Sequence, residues 1–249
     1  MYLTRYVSSY RSHSSFSYDN LQKYNLPFPE AVFDLNFYRR NPKPFLSLAK
    51  EIWPGLQHSP TLTHSFVALL SHKGLLLRNY SQNIDGLECL ATIPSHEIVE
   101  CHGHFRSASC IDCRRPSDDC KKIILETDEL PTCNHCGGYV KPDIVFFGEG
   151  LPDRYMRLLP RDLDEADMLL IMGTSLMVAP VSMIPDLVDD TCKRVLLNRE
   201  KVGHFHDKKR DVIHEGDCDD SVRLIAKLLD WEKELLELNA STRINKTNE

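Results

Sequence analysis

The 249-residue chain reads as an α/β protein with a mostly parallel sheet and a small metal-binding insert. Two observations predict this. Apolar runs (LLLRNY at 75–80, MLLIMG at 168–173, and 194–197) alternate with stretches of helical apolar spacing, and that alternation builds parallel sheets. Cys110 and Cys113 form one C-x-x-C pair, and Cys133 and Cys136 form a second after a 19-residue gap. Four thiolates at that spacing are the ligand set of a structural, tetrahedral Zn²⁺.

Taken in order, residues 1–17 read as an irregular N-terminal segment. The first 18 residues carry no acidic side chain and hold Arg5 and Arg11, a weak likeness to a mitochondrial transit peptide that lacks a repeating apolar face. From Tyr18 the chain is aromatic, and Pro27, Pro29, Pro42 and Pro44 exclude a long helix. A short helix is expected at 46–53, stopped by Pro54-Gly55. A second begins with Ser59 as N-cap and Pro60 at its first position, carries Leu62, Phe66, Leu69 and Leu70, and ends at Gly74.

The strand at 75–80 delivers Gln82, Asn83 and Asp85 to its C-terminal end, where open α/β sheets bind ligands. A polar turn is the plainer reading of the same residues. Residues 101–138 form the zinc insert, poor enough in large apolar side chains that the metal must replace a core. Residues 139–147 are expected to return to the main sheet. The strand at 168–173 ends in Gly173, Thr174 and Ser175, small or hydroxylated residues that let backbone approach a phosphate or ribose. A helix near 181–188 and a strand at 194–197 follow, the strand ending in Asn198 and Glu200. A charged loop at 204–216, one helix at 219–238 and a disordered tail at 239–249 complete the reading. The sheet domain thus comprises 18–100 and 139–238.

Composition narrows the function. A net charge of −6 without Lys/Arg runs argues against direct nucleic-acid binding, and no apolar stretch is long enough to span a membrane. Beyond the four paired cysteines, Cys89, Cys101, Cys120, Cys192 and Cys218 show no pairing spacing, which fits reduced thiols in the cytoplasm or nucleus.

His102-Gly103, the two cysteine pairs and KPDIVFFGE (141–149) together resemble the sirtuins, the NAD-dependent protein lysine deacylases. YSQNIDGLE (80–88), MGTSLMVAP (172–180) and VLLNRE (195–200) match in family order, and YDNLQKYNLPFPEAVF (18–33) looks most like class I and its sirtuin 2 subgroup. The resemblance implies a Rossmann-like domain and a zinc ribbon, with NAD and an acetylated protein or peptide entering between them. It casts His102 as general base on a ribose hydroxyl, a role suited to an imidazole with its ordinary pKa of about 6.5. Gln82, Asn83 and Asp85 then serve the nicotinamide side, and Gly173, Thr174 and Ser175 the phosphates and ribose. Asn198 and Glu200 serve the adenosine ribose, and Cys218 the adenine. Val145, Phe146 and Phe147 line the acyl-lysine path, and Cys110, Cys113, Cys133 and Cys136 hold a structural zinc.

The family's Gly-Ala-Gly turn is absent: the first glycine of the chain is Gly55. Tyr10-Arg11-Ser12 resembles the end of that motif, which makes Arg11 the last cofactor-side position, and Ser9 stands where aspartate is expected. The nine residues before Tyr10 look too few for the first strand and its turn, leaving a central sheet position empty. The expected function is an NAD-dependent protein lysine deacetylase that transfers the acetyl group to ADP-ribose with nicotinamide release. The alternative is a truncated, catalytically impaired sirtuin acting as a zinc-stabilised protein-binding module.

Overall fold

The computed structural model describes residues 2–6, 26–53 and 58–243, which fall into two compact units. One comprises Met1–Ser9, Leu56–Cys101 and Asp153–Glu249; the other comprises Tyr10–Gly55 and His102–Pro152.

The first unit is built on six parallel strands: β1 (Tyr2–Tyr6), β2 (Leu76–Ser81), β3 (Ile98–Glu100), β6 (Met168–Met172), β7 (Lys193–Asn198) and β8 (Asp211–Glu215). Their order is β3-β2-β1-β6-β7-β8. The chain runs outward from β1 to one edge, then resumes beside β1 and runs to the other, which is the doubly wound order with its switch point between β1 and β6. The expectation of an empty central position is therefore corrected. Tyr2–Tyr6 occupies it, pairing with β6 from Tyr2↔Met168 to Tyr6↔Met172 and with β2 on its other side. The apolar neighbours on both sides supply the pairing that the short YLTRY segment does not advertise.

Helix α3 (Leu62–His72) is buried from Thr63 to Leu70 and packs against α8 (Cys218–Leu228) and α9 (Glu232–Ser241). Its cap is Thr61, two residues later than expected. The Thr61 N–H donates to His64 Nδ1 at 3.1 Å in a reciprocal capping box, and Gly74 follows at φ +67°. The single helix expected at 219–238 is two helices. Asp230 takes φ +58°, and Trp231 N–H and Asp230 N–H donate to the Ala226 and Lys227 carbonyls, a Schellman closure of α8. Asn239, assigned to a disordered tail, lies buried in α9 and donates to Pro60 O and Ser65 Oγ, both at 3.0 Å. The expected loop at 204–216 contains edge strand β8, whose Asp211, His214 and Glu215 carry the polarity natural to an edge. Helices α4 (Leu87–Leu90), α6 (Asp153–Glu165) and α7 (Ile184–Leu187) complete this unit.

In the second unit, β4 (Gly103–Cys110) and β5 (Val140–Ile144) pair antiparallel as a separate two-stranded sheet, so residues 139–147 do not rejoin the main sheet. Residues 26–53 also belong here, through α1 (Leu35–Arg40) and α2 (Lys43–Ile52). They bring Phe33, Tyr38 and Phe45 into edge-to-face contact with Phe146, giving the cysteine-bearing segment an aromatic core as well as a metal set. Helix α5 (Cys120–Glu126) packs on α2 and β5. Among the described residues, no helix is long and apolar enough to cross a membrane.

Candidate active site and metal centre

The cysteine pairs sit on two similar turns. In each, the residue after the second or fourth cysteine is left-handed (Arg114 at φ +60°, Gly137 at φ +74°), and a backbone N–H closes onto the first cysteine's carbonyl: Arg114 to Cys110 at 3.1 Å and Gly137 to Cys133 at 2.9 Å. The turns face one another. Cys110 and Cys136 Sγ are 3.4 Å apart, Cys113 and Cys133 Sγ are 3.6 Å apart, and all four lie within 4.8 Å of each other. Ligands at about 2.3 Å in tetrahedral array demand S···S separations of just under 4 Å, so the quartet fits Zn²⁺. At Gly138 a Cβ would lie 2.3 Å from the Asp112 carboxylate and 3.1 Å from Cys110 Sγ, so a larger residue would have to displace the Asp112 side chain.

In the same unit, His102 immediately precedes β4 and is half-buried, and its carbonyl accepts from Val145 N–H at 2.8 Å. Gly103 follows at φ +75°, with the place of a Cβ only 2.0 Å from the Asp143 carbonyl oxygen, so glycine at 103 is a steric requirement of the β4–β5 crossing. Phe147 exchanges backbone hydrogen bonds with Phe33 and Leu35 while its ring is exposed, whereas Phe146 is buried. A buried ion pair spans this strand. Lys141 Nζ lies 2.8 Å from Glu149, donates to Ile144 O at 2.6 Å and sits 4.6 Å from the Phe146 ring centre; Glu149 also accepts from Phe146 N–H at 2.9 Å. Sequence reasoning missed this clamp, although the Lys and Glu bounding an apolar strand in KPDIVFFGE were its signal.

In the sheet unit, the remaining candidates gather at the C-terminal edge of the parallel strands. Gln82, Asn83 and Asp85 follow β2, Gly173, Thr174 and Ser175 follow β6, and Asn198 and Glu200 end β7. Gly173 adopts φ +58° and donates to Leu197 O at 3.2 Å. Thr174 is buried, its Oγ1 accepting from Leu176 N–H at 3.0 Å, and Asn198 Nδ2 donates to the carbonyls of Thr174 at 3.1 Å and Glu200 at 2.9 Å. Ser175 and Glu200 are exposed. Cys218 opens α8 with Sγ 3.4 Å from Leu197 O, and burial pushes its thiol up to about 11. Arg11 lies outside the described residues. These buried polar groups at the switch-point edge fit the ribose and phosphate half of a dinucleotide.

Glu88 and Ser81 are further polar residues of this edge that the sequence reading passed over. Glu88 is 1% exposed and hydrogen-bonded to the Ser81 hydroxyl, and Ser81 Oγ accepts from Asn83 N–H at 3.1 Å.

A doubly wound sheet with polar groups at its switch-point edge, joined in one chain to a zinc-ribbon-like unit with a cysteine quartet, defines a class of dinucleotide-binding α/β protein. The Sir2 family model matches residues 5–180. The NAD-dependent protein deacetylase hst2 of Schizosaccharomyces pombe is 44% identical over 93% of this chain and 70% of its own length. Mouse NAD-dependent protein deacetylase sirtuin-3 is 47% identical over 93% and 70%, and zebrafish sirtuin-2 is 42% identical over 93% and 66%. The chain belongs to the Sir2 family, and it spans about two thirds of the length of these relatives.

Proposed function

We propose that this chain is an NAD-dependent protein lysine deacetylase acting on acetylated protein or peptide. The observation that carries the reading is family membership together with a chain that retains His102, the Asn83/Asp85 turn, the Gly173–Ser175 turn, Asn198 and the cysteine quartet. The binding-module reading drew on the missing glycine-rich turn; the sheet position expected to be lost with that turn is filled by β1.

NAD, when bound, supplies an ADP-ribosyl acceptor activated by its nicotinamide leaving group. The chain's residues then have separate tasks. His102 takes the proton of a ribose hydroxyl as general base. Asn83 and Asp85 orient the nicotinamide end, with Gln82 beside them, and Arg11 serves the cofactor from the segment after β1. Thr174, Ser175, Asn198, Glu200 and Cys218 hold the ribose, phosphate and adenine side. Val145, Phe146 and Phe147 receive the acyl-lysine, the backbone of the peptide adding as a strand. The zinc is structural, because four protein thiolates leave no open coordination position. The five cysteines outside the quartet show no pairing spacing, which supports a cytoplasmic or nuclear setting.

The test is an acetyl-lysine peptide incubated with NAD and the zinc-loaded protein, with free nicotinamide and deacetylated peptide both quantified. The two should appear in equal amounts and both should vanish in His102→Ala. A folded, zinc-loaded wild type that releases neither would contradict the assignment.

A further inference from the structure

The polar edge beside β2 contains more acid than the proposed chemistry uses. Glu88 is fully enclosed, and its carboxyl, that of Asp85 and a ring nitrogen of His64 all lie within 4.8 Å of one another. Every element around this spot contributes a titratable group. α3 gives His64, the turn after β2 gives Asp85, β3 gives Glu100, and the segment before α3 gives His58.

Of these, His58 alone lowers Asp85, and it ranks after burial and the Leu87 N–H. His64 Nδ1 accepts the Thr61 N–H, so the ring is a neutral tautomer with its proton on Nε2, and burial pulls His64 down to about 3. Glu100 raises both acids. Two carboxyls this close favour sharing one proton. Burial raises both carboxyls and favours the proton on the deeper one: it pushes Glu88 up to about 8, with the Asp85 charge adding to it.

We propose that Glu88 is a positioning residue that stays protonated at neutral pH and, as an uncharged acid, fixes the β2 turn that presents Asn83 and Asp85. The connections are short. Glu88 is bonded to the Ser81 hydroxyl, Ser81 Oγ receives the Asn83 N–H at 3.1 Å, and Asp85 Oδ1 receives the Leu87 N–H at 3.0 Å one residue before Glu88. With Glu88 neutral, Asp85 carries the only charge of the pair and faces the cofactor with one anion fewer beside it. The activity arm of this inference rests on the proposed role of Asn83 and Asp85; the stability arm does not.

The experiment compares wild type, Glu88→Gln, Glu88→Ala and Ser81→Ala, all zinc-loaded. The first readout is thermal unfolding without NAD between pH 5 and 9. A carboxyl with a raised folded-state pKa contributes most below its unfolded value and loses that contribution as pH rises through the folded value. Wild type should therefore lose stability relative to Glu88→Gln as pH rises toward about 8, while Glu88→Gln, an uncharged mimic, lacks that response. Taking the difference removes the zinc thiolates' own pH response, which is common to both proteins.

The second readout is KM for NAD. Glu88→Gln should stay within about threefold of wild type. Glu88→Ala and Ser81→Ala should raise KM about 10- to 100-fold with a smaller effect on kcat, as displaced binding groups do. Glu88→Gln matching Glu88→Ala in KM, or a wild type that gains stability over this window relative to Glu88→Gln, would overturn the proposal. So would metal analysis showing a second tightly held ion that Glu88→Ala loses. If the enzymatic reading itself fails, no variant turns over, yet the difference in pH response between wild type and Glu88→Gln persists.

Discussion

In the sheet unit, α3 and strands β2, β6 and β7 enclose a continuous aliphatic core running from Phe66 to Leu235, whereas the cysteine-bearing unit relies on five clustered aromatic rings, one buried ion pair and four thiolates. The first arrangement is distributed, so the loss of any one side chain is shared among many neighbours. The second is concentrated in a few strong, specific contacts, and each should be hard to replace. The two buried glutamates show the same contrast. Glu88 has acid and neutral histidine around it and keeps its proton. Glu149 is pushed up by burial, but the hydrogen bonds and charge of Lys141 with Arg114 outweigh this and hold it below the usual carboxylate range.

The largest effect should come from the metal. Cys133→Ser, or chelation of the zinc, should remove on the order of 10 kcal/mol of binding free energy from the cysteine-bearing unit. Hydrogen exchange should then accelerate across 102–152 while amides of α3 and β6 stay protected; equal acceleration in both would break the contrast. Next, Lys141→Met removes the buried partner of Glu149 and leaves it only the exposed Arg114 as an ionic partner, which should cost about 3–5 kcal/mol by denaturant unfolding. Glu149's lowered value also sets a sign: its contribution is present above the ordinary glutamate range and is lost as pH falls through the lowered value, opposite to Glu88. Leu69→Ala in the distributed core should cost about 2–5 kcal/mol without changing zinc content. The smallest change should be a gain. Asp230→Gly relieves a left-handed residue at the end of α8 and should stabilise by about 0.5–1 kcal/mol, read as a raised Tm.

Much of this was legible in the residues, for identifiable reasons. β2, β6 and β7 are apolar runs ending in polar turns, and that pattern belongs to buried parallel strands whatever surrounds them. The cysteine quartet was legible because metal geometry dictates its spacing. β1 was not: YLTRY lacks an apolar run and no glycine turn follows it, so its place depends on partners distant in sequence. Edge strand β8 was hidden by its charges, and the break between α8 and α9 rests on one aspartate taking a conformation usually left to glycine. The Ser81–Glu88 contact was missed because no local pattern marks a buried hydroxyl–carboxyl pair, whereas the Lys141–Glu149 clamp was signalled by the Lys and Glu that bound the apolar stretch of KPDIVFFGE.

The proposed function requires that the polar edge of the sheet, without a glycine-rich turn after β1, still bind NAD. Titration calorimetry of NAD into the zinc-loaded protein, run with Asn198→Ala alongside, tests it most directly. Saturable one-to-one binding that weakens in Asn198→Ala while His102→Ala still binds is the result this account predicts. A folded, zinc-loaded protein that takes up no NAD would contradict it.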